Sequence, residues 1–283
     1  MATQSLTSTY TNATDAAFRL WGSNIGVALA AFGWVNTADT GQINWTTVLA
    51  PTGTSQVMGY EVWRMDDVLQ ATSPVFLKLE YGSGTGITSP GIWVTLGQGS
   101  DGAGSLTGTM TTRATKMFAA NAGSFASLFC GSSSRFMMAF GHGIGTTTMI
   151  VLCIERTRDS AGVETAEGFT FVFGLGSGTP IFQFVSTAAG LATLCAALNV
   201  GMPTAGSGAS GTSVAVYPVF PTKGIYLNPL LSMLGYFIAN IGAGSSPSIA
   251  YYGANHTYIP LDARISGANW VALAAGSVLM LFE

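Results

Sequence analysis

Charge is what this sequence has least of. Lysine, arginine, aspartate and glutamate together make up 8% of it, against about 25% in an ordinary soluble protein. No charged residue occurs from Gly168 to Thr222, and none from Gly224 to Leu261. The formal net charge is −3. A nucleic-acid groove needs a basic patch or stripe, so that class of partner is excluded. A monomer relies on surface charge to stay soluble and separate from its neighbours. A surface this poor in charge is therefore expected to be covered by other subunits. The composition points to a part of a larger assembly.

Other absences narrow the chemistry. The three cysteines, Cys130, Cys153 and Cys195, are far apart and lie in apolar runs. No C-x-x-C pair is present, so neither a zinc site nor a redox motif is indicated. Buried free thiols are the expectation. Only His142 and His256 can supply an imidazole base. Cys130 and His142 are a conceivable nucleophile and base, but their spacing does not require them to meet. No G-x-S-x-G elbow and no Walker-type loop occurs. The carboxylates are scattered: Asp66 and Asp67 are adjacent, and Glu164 and Glu167 share one segment. A glycosidase pair or a metal site has no positive support in that pattern. No catalytic residue, cofactor or metal is expected, and the chain is read as a non-enzyme.

The N-terminal stretch MATQSLTSTYTNATDAAFRL lacks the basic and apolar regions of a secretory signal. Assembly in a cytoplasm follows as the expectation, and the glycosylation-like triplets at Asn12, Asn44 and Asn255 then carry little weight. Ile181–Met202 is long enough to span a bilayer. It is interrupted by Gln183, Ser186, Thr187, Gly190, Thr193 and Asn199, and it lacks flanking basic anchors. No membrane insertion is expected. A membrane barrel needs alternating strands, whereas the apolar residues of Ser277–Glu283 run together.

What the chain does have is glycine, 37 of them, mixed with serine, threonine and alanine and without a collagen period. That mixture suits β-structure with tight turns. One amphipathic helix is predicted at about 14–32. Phe18, Trp21, Ile25, Ala28, Leu29 and Phe32 fall on one face at three- and four-residue steps. Thr14 can cap it, Asp15 suits its positive end, and Gly33 suits the position past its last turn. Gly22 and Gly26 call for close packing against another element.

After Gly33 the period becomes strand-like. Strands are predicted at Trp34–Val35, Gln42–Val48, Met58–Arg64, Val75–Tyr81, Ile92–Leu96 and Ser105–Thr115. Asp66–Ala71 reads as a helical turn stopped before Pro74. Further strands are predicted at Arg135–Phe140, Met149–Arg156, Gly168–Phe173, Pro180–Val185, Ser213–Val219, Ser248–Tyr252 and Trp270–Phe282. Met149–Arg156 and Gly168–Phe173 form a hairpin with a charged tip at Thr157–Glu167. Ala188–Leu198 reads as a short buried helix, Leu227–Ile241 fits helix or strand, and Thr204–Thr212 reads as a flexible loop. The fold class is mainly β: β-sandwich-like antiparallel sheets, one N-terminal amphipathic helix and glycine-rich loops. Five of the six tryptophans precede a composition shift near Met117–Gly123. An N-terminal domain, 1–117, and a charge-poor C-terminal domain, 118–283, are the expected organisation.

Two stretches match G-x-G-x-x-G, at Gly97, Gly99, Gly102 and at Gly206, Gly208, Gly211. A dinucleotide site needs a helix directly after the motif. Ala-Gly-Ser-Leu-Thr-Gly follows the first, which makes a turn, and no strand precedes the second. Among the aromatics, Trp63, Phe76 and Trp93 are expected in the core. Tyr251, Tyr252, Asn255, His256 and Tyr258 cluster before Pro260 and are expected to form an exposed contact surface on a loop.

Three blocks carry a likeness to a known group of proteins: Met58–Gln70, Pro74–Gly84 and Gly91–Gly108, together with the preceding helix and Thr40-Gly-Gln-Ile-Asn-Trp45. Over about 14–115 this pattern of strands and glycine turns resembles structural proteins of tailed bacteriophages. The resemblance implies a virion component of tail, baseplate, fibre or head-decoration type, assembled in the host cytoplasm. The expected partners are further copies of the chain, as a trimer or higher-order ring, and other virion proteins. A receptor-binding module for a host-cell surface glycan or protein is the alternative. The resemblance carries over no binding residues.

Overall fold

The computed structural model describes residues 2–9, 14–84, 90–117, 124–142, 150–174, 181–186, 192–194, 216–218, 222–223, 226–227, 236–239, 248–261 and 277–281. Over these residues the protein is mainly β, with antiparallel sheets and one helix near the N-terminus. In chain order the elements are β1 (Ala2–Thr9), α1 (Asp15–Ala31), β2 (Val35–Asn36), β3 (Val57–Arg64), β4 (Phe76–Ser83), β5 (Pro90–Gly97), β6 (Gly99–Ser100), β7 (Leu106–Thr107) and β8 (Ala114–Met117). There follow β9 (Ser124–Ser132), β10 (Arg135–His142), β11 (Ile150–Arg158), β12 (Glu164–Gly174), β13 (Ile181–Ser186), β14 (Ala192–Leu194), β15 (Val216–Pro218), β16 (Thr222–Lys223), β17 (Tyr226–Leu227), β18 (Tyr236–Ala239), β19 (Ser248–Tyr251), β20 (Ala254–Leu261) and β21 (Ser277–Leu281).

Sheet I has the order β2-β3-β4-β5-β8, and sheet II the order β1-β9-β10-β11-β12-β13-β14. Sheet III runs β15-β18-β21-β20-β19. The pairs β6-β7 and β16-β17 are small ribbons.

The helix forms where its sequence signals place it. The Thr14 hydroxyl accepts from the Ala17 amide at 3.2 Å, and Asp15 occupies the first turn. Gly33 follows the end with φ +88°, a left-handed conformation that costs glycine nothing. Phe18, Trp21, Ile25, Ala28 and Leu29 are buried against the sheets. Burying each large side chain of this kind is worth roughly 1.5–3 kcal/mol.

One core joins sheets I and II. Leu77, Leu79 and Tyr81 on β4, and Ile92, Val94 and Leu96 on β5, share it with α1. Phe129, Phe136, Met138, Leu152, Ile154, Phe169 and Phe171 join it from β9–β12. The opposite face of sheet II is buried too: Cys130, Met137, Ala139 and Cys153 have no exposed surface. Cys130 pairs with Met137, and Met137 with Cys153, across the three strands. Burial on both faces explains why Phe136–Ala139 reads as a continuous apolar run instead of alternating. Polar links span the same seam. The Trp34 indole donates to the Ser132 carbonyl at 3.1 Å, and Arg156 grips Asp67 with bonds of 2.6 and 3.1 Å. The boundary expected at 117–123 thus falls between two sheets with a common core, and residues 118–123 lie outside the described ones.

Several expectations are corrected. Gln42–Val48 is not a strand. The Asn44 carbonyl and side chain accept from Thr46, Thr47 and Val48, which spends the backbone in a local turn. Ser105–Thr115 is broken in two: Gly108 turns at φ +56°, and the Thr111 hydroxyl accepts from the Leu96 amide. Within Ala188–Leu198 the described residues are the strand β14 and not a helix. Within Leu227–Ile241 the described residues are strand, Leu227 in β17 and Tyr236–Ala239 as β18. The hairpin β11–β12 has a smaller tip than expected, because the strands run to Arg158 and resume at Glu164. The strands β1 and β9 are additions that the sequence pattern did not announce. Thr204–Thr212 and the second glycine motif lie outside the described residues.

Candidate functional site

The residues picked as a contact surface lie on a hairpin, β19–β20, and not on a loop. Tyr252 and Gly253 form its two-residue turn, with φ of 49° and 75°. Two successive left-handed residues match the twist of antiparallel strands. The pleat of β20 then separates the candidates. Asn255 is exposed and Tyr252 half-buried, whereas His256 is 8% exposed and Tyr258 0%. The exposure expected at His256 and Tyr258 is therefore corrected: both turn inward as alternate residues of one strand. The Tyr251 side chain lies outside the described atoms.

A second hairpin tip meets the first. Gly162, at φ +82° in the turn between β11 and β12, lies under the Tyr252 ring; a Cβ there would fall 2.7 Å from it. The tip is stiffened from within. Asp159 accepts from the Ala161 and Val163 amides at 2.9 Å each, and Arg158 donates to the Gly162 carbonyl at 2.8 Å and to Glu164 at 2.6 Å. Val163 stands 61% exposed beside it. Together Val163, Tyr252 and Asn255 give a small rigid platform of aliphatic, aromatic and amide groups. It has the chemistry of contact. It brings together no nucleophile and base.

The first glycine motif is a turn and not a cofactor cradle. Gly99–Ser100 pairs with Leu106–Thr107, and the intervening residues fold over Asp101, which accepts from the Ala103 and Ser105 amides at 2.8 and 2.9 Å. Those amide bonds hold the Asp101 carboxyl below the usual carboxylate range. The loop is pinned by Asp39, which accepts from Thr37 at 2.5 Å, from the Gly104 amide at 2.9 Å, and from Ser100. Burial works against ionisation of Asp39, but the bonds from Ser100, Thr37 and Gly104 outweigh it and lower its pKa. Tyr60 closes the clasp. Its hydroxyl donates to the Thr40 carbonyl at 2.5 Å, and its ring occupies the space that a Cβ on Gly104 would need.

The remaining described carboxylates are largely engaged in structure. Asp66 pairs with Arg64, Asp67 with Arg156, and Glu80 with Arg113. Glu155 and Arg135 form a pair 3.3 Å apart with side chains 1% and 0% exposed. Glu164 bridges Arg158 and Ser134. Glu61 accepts from neutral donors, Trp45 and Tyr81, in a buried position, and was not singled out from the sequence. Cys130 and His142 do not meet: Cys130 lies opposite Met137 and His142 opposite Ala126, roughly 13 Å apart along the strand at about 3.3 Å per residue. Cys153 is fully buried, which pushes its thiol pKa well up, away from reactivity.

Arg113 lies over the Trp93 ring at 5.1 Å, and Lys78 over the Tyr60 ring at 4.8 Å. These cations cover aromatic surface on the outer side of sheet I. Trp93 is buried there, as expected, although on the side away from the shared core. No protein-family model matches this chain, and no curated protein matches it.

Proposed function

We propose that this chain is a non-enzymatic structural subunit of a bacteriophage virion, of tail, baseplate or fibre type, that works by self-association and contact with neighbouring virion proteins. The observation that carries this reading is an exposed, partly apolar face without charge. On the outer side of α1, Leu20 is 46% and Val27 52% exposed, with Ala16 and Ala31 exposed on the same side. No charged residue occurs between Arg19 and Asp39. Ser23 and Asn24 lie between Leu20 and Val27, so this side is uncharged and partly apolar, which suits contact with a neighbouring subunit. The charges that the described residues do carry are mostly spent on internal pairs, such as Asp67–Arg156 and Glu155–Arg135. The platform of Val163, Tyr252 and Asn255 offers a second contact. The likeness of 14–115 to tailed-phage structural proteins supplies the kind of particle, and assembly in the host cytoplasm goes with it.

Light scattering across a dilution series tests the reading. The expected result is a mass that is a multiple of the chain and persists on dilution. A species that remains monomeric at the highest concentration reached would overturn it.

A further inference from the structure

We propose that the outer face of α1 is a self-contact: it packs antiparallel on α1 of a second copy, about a two-fold axis that passes between Ser23 and Asn24. The inference rests on the reading of the chain as self-associating, and it names the surface responsible and its register.

The face is open. Leu20 and Val27 stand 46% and 52% exposed, Ala16, Ala30 and Ala31 are exposed, and Ser23 and Asn24 are half-buried between them. A surface helix ordinarily turns charged and polar groups outward. α1 has two charged residues, Asp15 and Arg19, and both are tied down on one flank. Asp15 accepts from the Ala50 amide at 2.7 Å, and Arg19 donates to the Val48 carbonyl at 2.6 Å. Ala16, Leu20, Ser23, Val27 and Ala30 recur at alternating steps of four and three residues, the spacing of a seam between two helices. Alanine and serine in that seam let two helix axes come toward the near end of the usual range of about 8–10 Å.

The order of residues along the face chooses the occupant. In an antiparallel pair about this axis, each residue meets the one equally far on the other side of it. Leu20 of each copy then lies against Val27 of the other, Ala16 against Ala31, and Ser23 against Asn24. The large apolar side chains meet each other twice, the small ones fall at the ends, and the short polar ones at the crossing. The Ser23 hydroxyl already donates to the Leu20 carbonyl at 3.3 Å, so covering it leaves no unsatisfied donor. Identical faces without charge meet with no like-charge repulsion, and a strongly charged partner finds nothing on them to pair with. Antiparallel packing also sets the positive end of each helix dipole beside the negative end of the other. From Ala16 to Ala31 the seam is roughly 22 Å long, at about 1.5 Å per residue. A stable interface covers about 800 Å² on each partner, more than one helix stripe supplies. Leu49 widens it. This side chain is 59% exposed in the loop that Asp15 and Arg19 hold beside the N-terminal half of α1, and the two-fold carries it toward Ala30 of the second copy.

Charge substitutions in the full-length chain read the register. Leu20→Glu and Val27→Lys, each alone, place an unpaired charge in the contact and are expected to halve the assembly mass in light scattering. Both positions are exposed in the single copy, so the near-ultraviolet circular dichroism is expected to stay native. Leu20→Glu combined with Val27→Lys sets a carboxylate against an ammonium at both contacts between 20 and 27, and the mass is expected to return. A parallel pair would set like charge against like and give no return. An unchanged mass in both single variants, or a loss that the double variant does not reverse, overturns the helix pairing and leaves self-association standing. A monomeric wild type overturns self-association itself, and the helix pairing with it.

Discussion

Glu61 puts a carboxyl on the inner face of sheet I, where it is 7% exposed. The Trp45 indole donates to one oxygen at 3.1 Å and the Tyr81 hydroxyl to the other at 2.6 Å. Burial raises the Glu61 pKa, and the bonds from Tyr81 and Trp45 only partly oppose it. A raised folded-state pKa means that the protonated form is favoured by folding. The resulting stability is fully present below the unfolded value of about 4.5 and is lost as pH rises through the folded value. Glu61→Gln keeps a carbonyl for Trp45 and an amide for Tyr81 but cannot ionise. Its Tm is expected to gain on wild type between acidic and neutral pH, and a Tm difference that stays flat over that range would refute the assignment. Glu61→Ala is expected to destabilise at every pH, by roughly 1–3 kcal/mol for each donor left unsatisfied. Asp39 has the opposite sign. Its lowered pKa makes the clasp between the loops at 37–41 and 99–104 a contributor that is lost on acidification.

At the scale of elements, α1 shows how a local rule yields to packing. An exposed glycine in a helix costs about 1 kcal/mol relative to alanine, so Gly22→Ala should help an isolated helix. Here a Cβ on Gly22 would lie 1.9 Å from the Trp45 ring, which also packs on Phe18 and Tyr81. Gly22→Ala is therefore expected to destabilise by about 1–3 kcal/mol, the usual cost of overpacking. Combined with Trp45→Leu, the penalty should largely vanish. A double-mutant cycle by urea denaturation reads that coupling directly, and simple additivity would refute the contact. The close packing expected at Gly22 was legible in the sequence, as were the cap at Thr14 and the ends of β4 and β11 to within a residue or two. Elsewhere the signals failed for physical reasons. Gln42–Val48 has strand-like side chains, yet the Asn44 side chain bends it by bonding its own neighbours. β1 is mostly serine and threonine, and in β9 Leu128, Phe129 and Cys130 are consecutive, so neither strand shows an alternation that reveals it. In β20 the polar residues and Pro260 suggested a loop. The alternation of Asn255 and Thr257 with His256 and Tyr258 was the period-two signal that would have placed His256 and Tyr258 inward. Glu61 offered no such clue, because a lone acid in an alternating strand ordinarily faces water.

At the scale of the molecule, the composition shift near residue 117 does not coincide with a break in packing. Trp34 reaches from the helix end into β9–β10 through the Ser132 and Arg135 carbonyls, and the rings of Phe32 and Trp34 both lie against Phe136. From the other side, Arg156 depends on Asp67 and on the Ser73 hydroxyl at 3.0 Å, with its side chain 0% exposed. Cutting the chain at this point would expose the inner face of sheet I and remove the partners of a buried guanidinium. Breaking a buried ion pair from one side typically costs about 3–5 kcal/mol, a large fraction of a domain's total stability. Residues 1–117 expressed alone are therefore expected to lack a cooperative thermal transition, to lose the near-ultraviolet circular dichroism of their packed tryptophans, and to bind a hydrophobic dye. Mixing with separately expressed 118–283 is expected to restore the transition, because the shared core can reform between fragments. A fragment 1–117 that melts cooperatively by itself, with native near-ultraviolet bands, would show that the two halves are independent and that the common core contributes little to holding either one together.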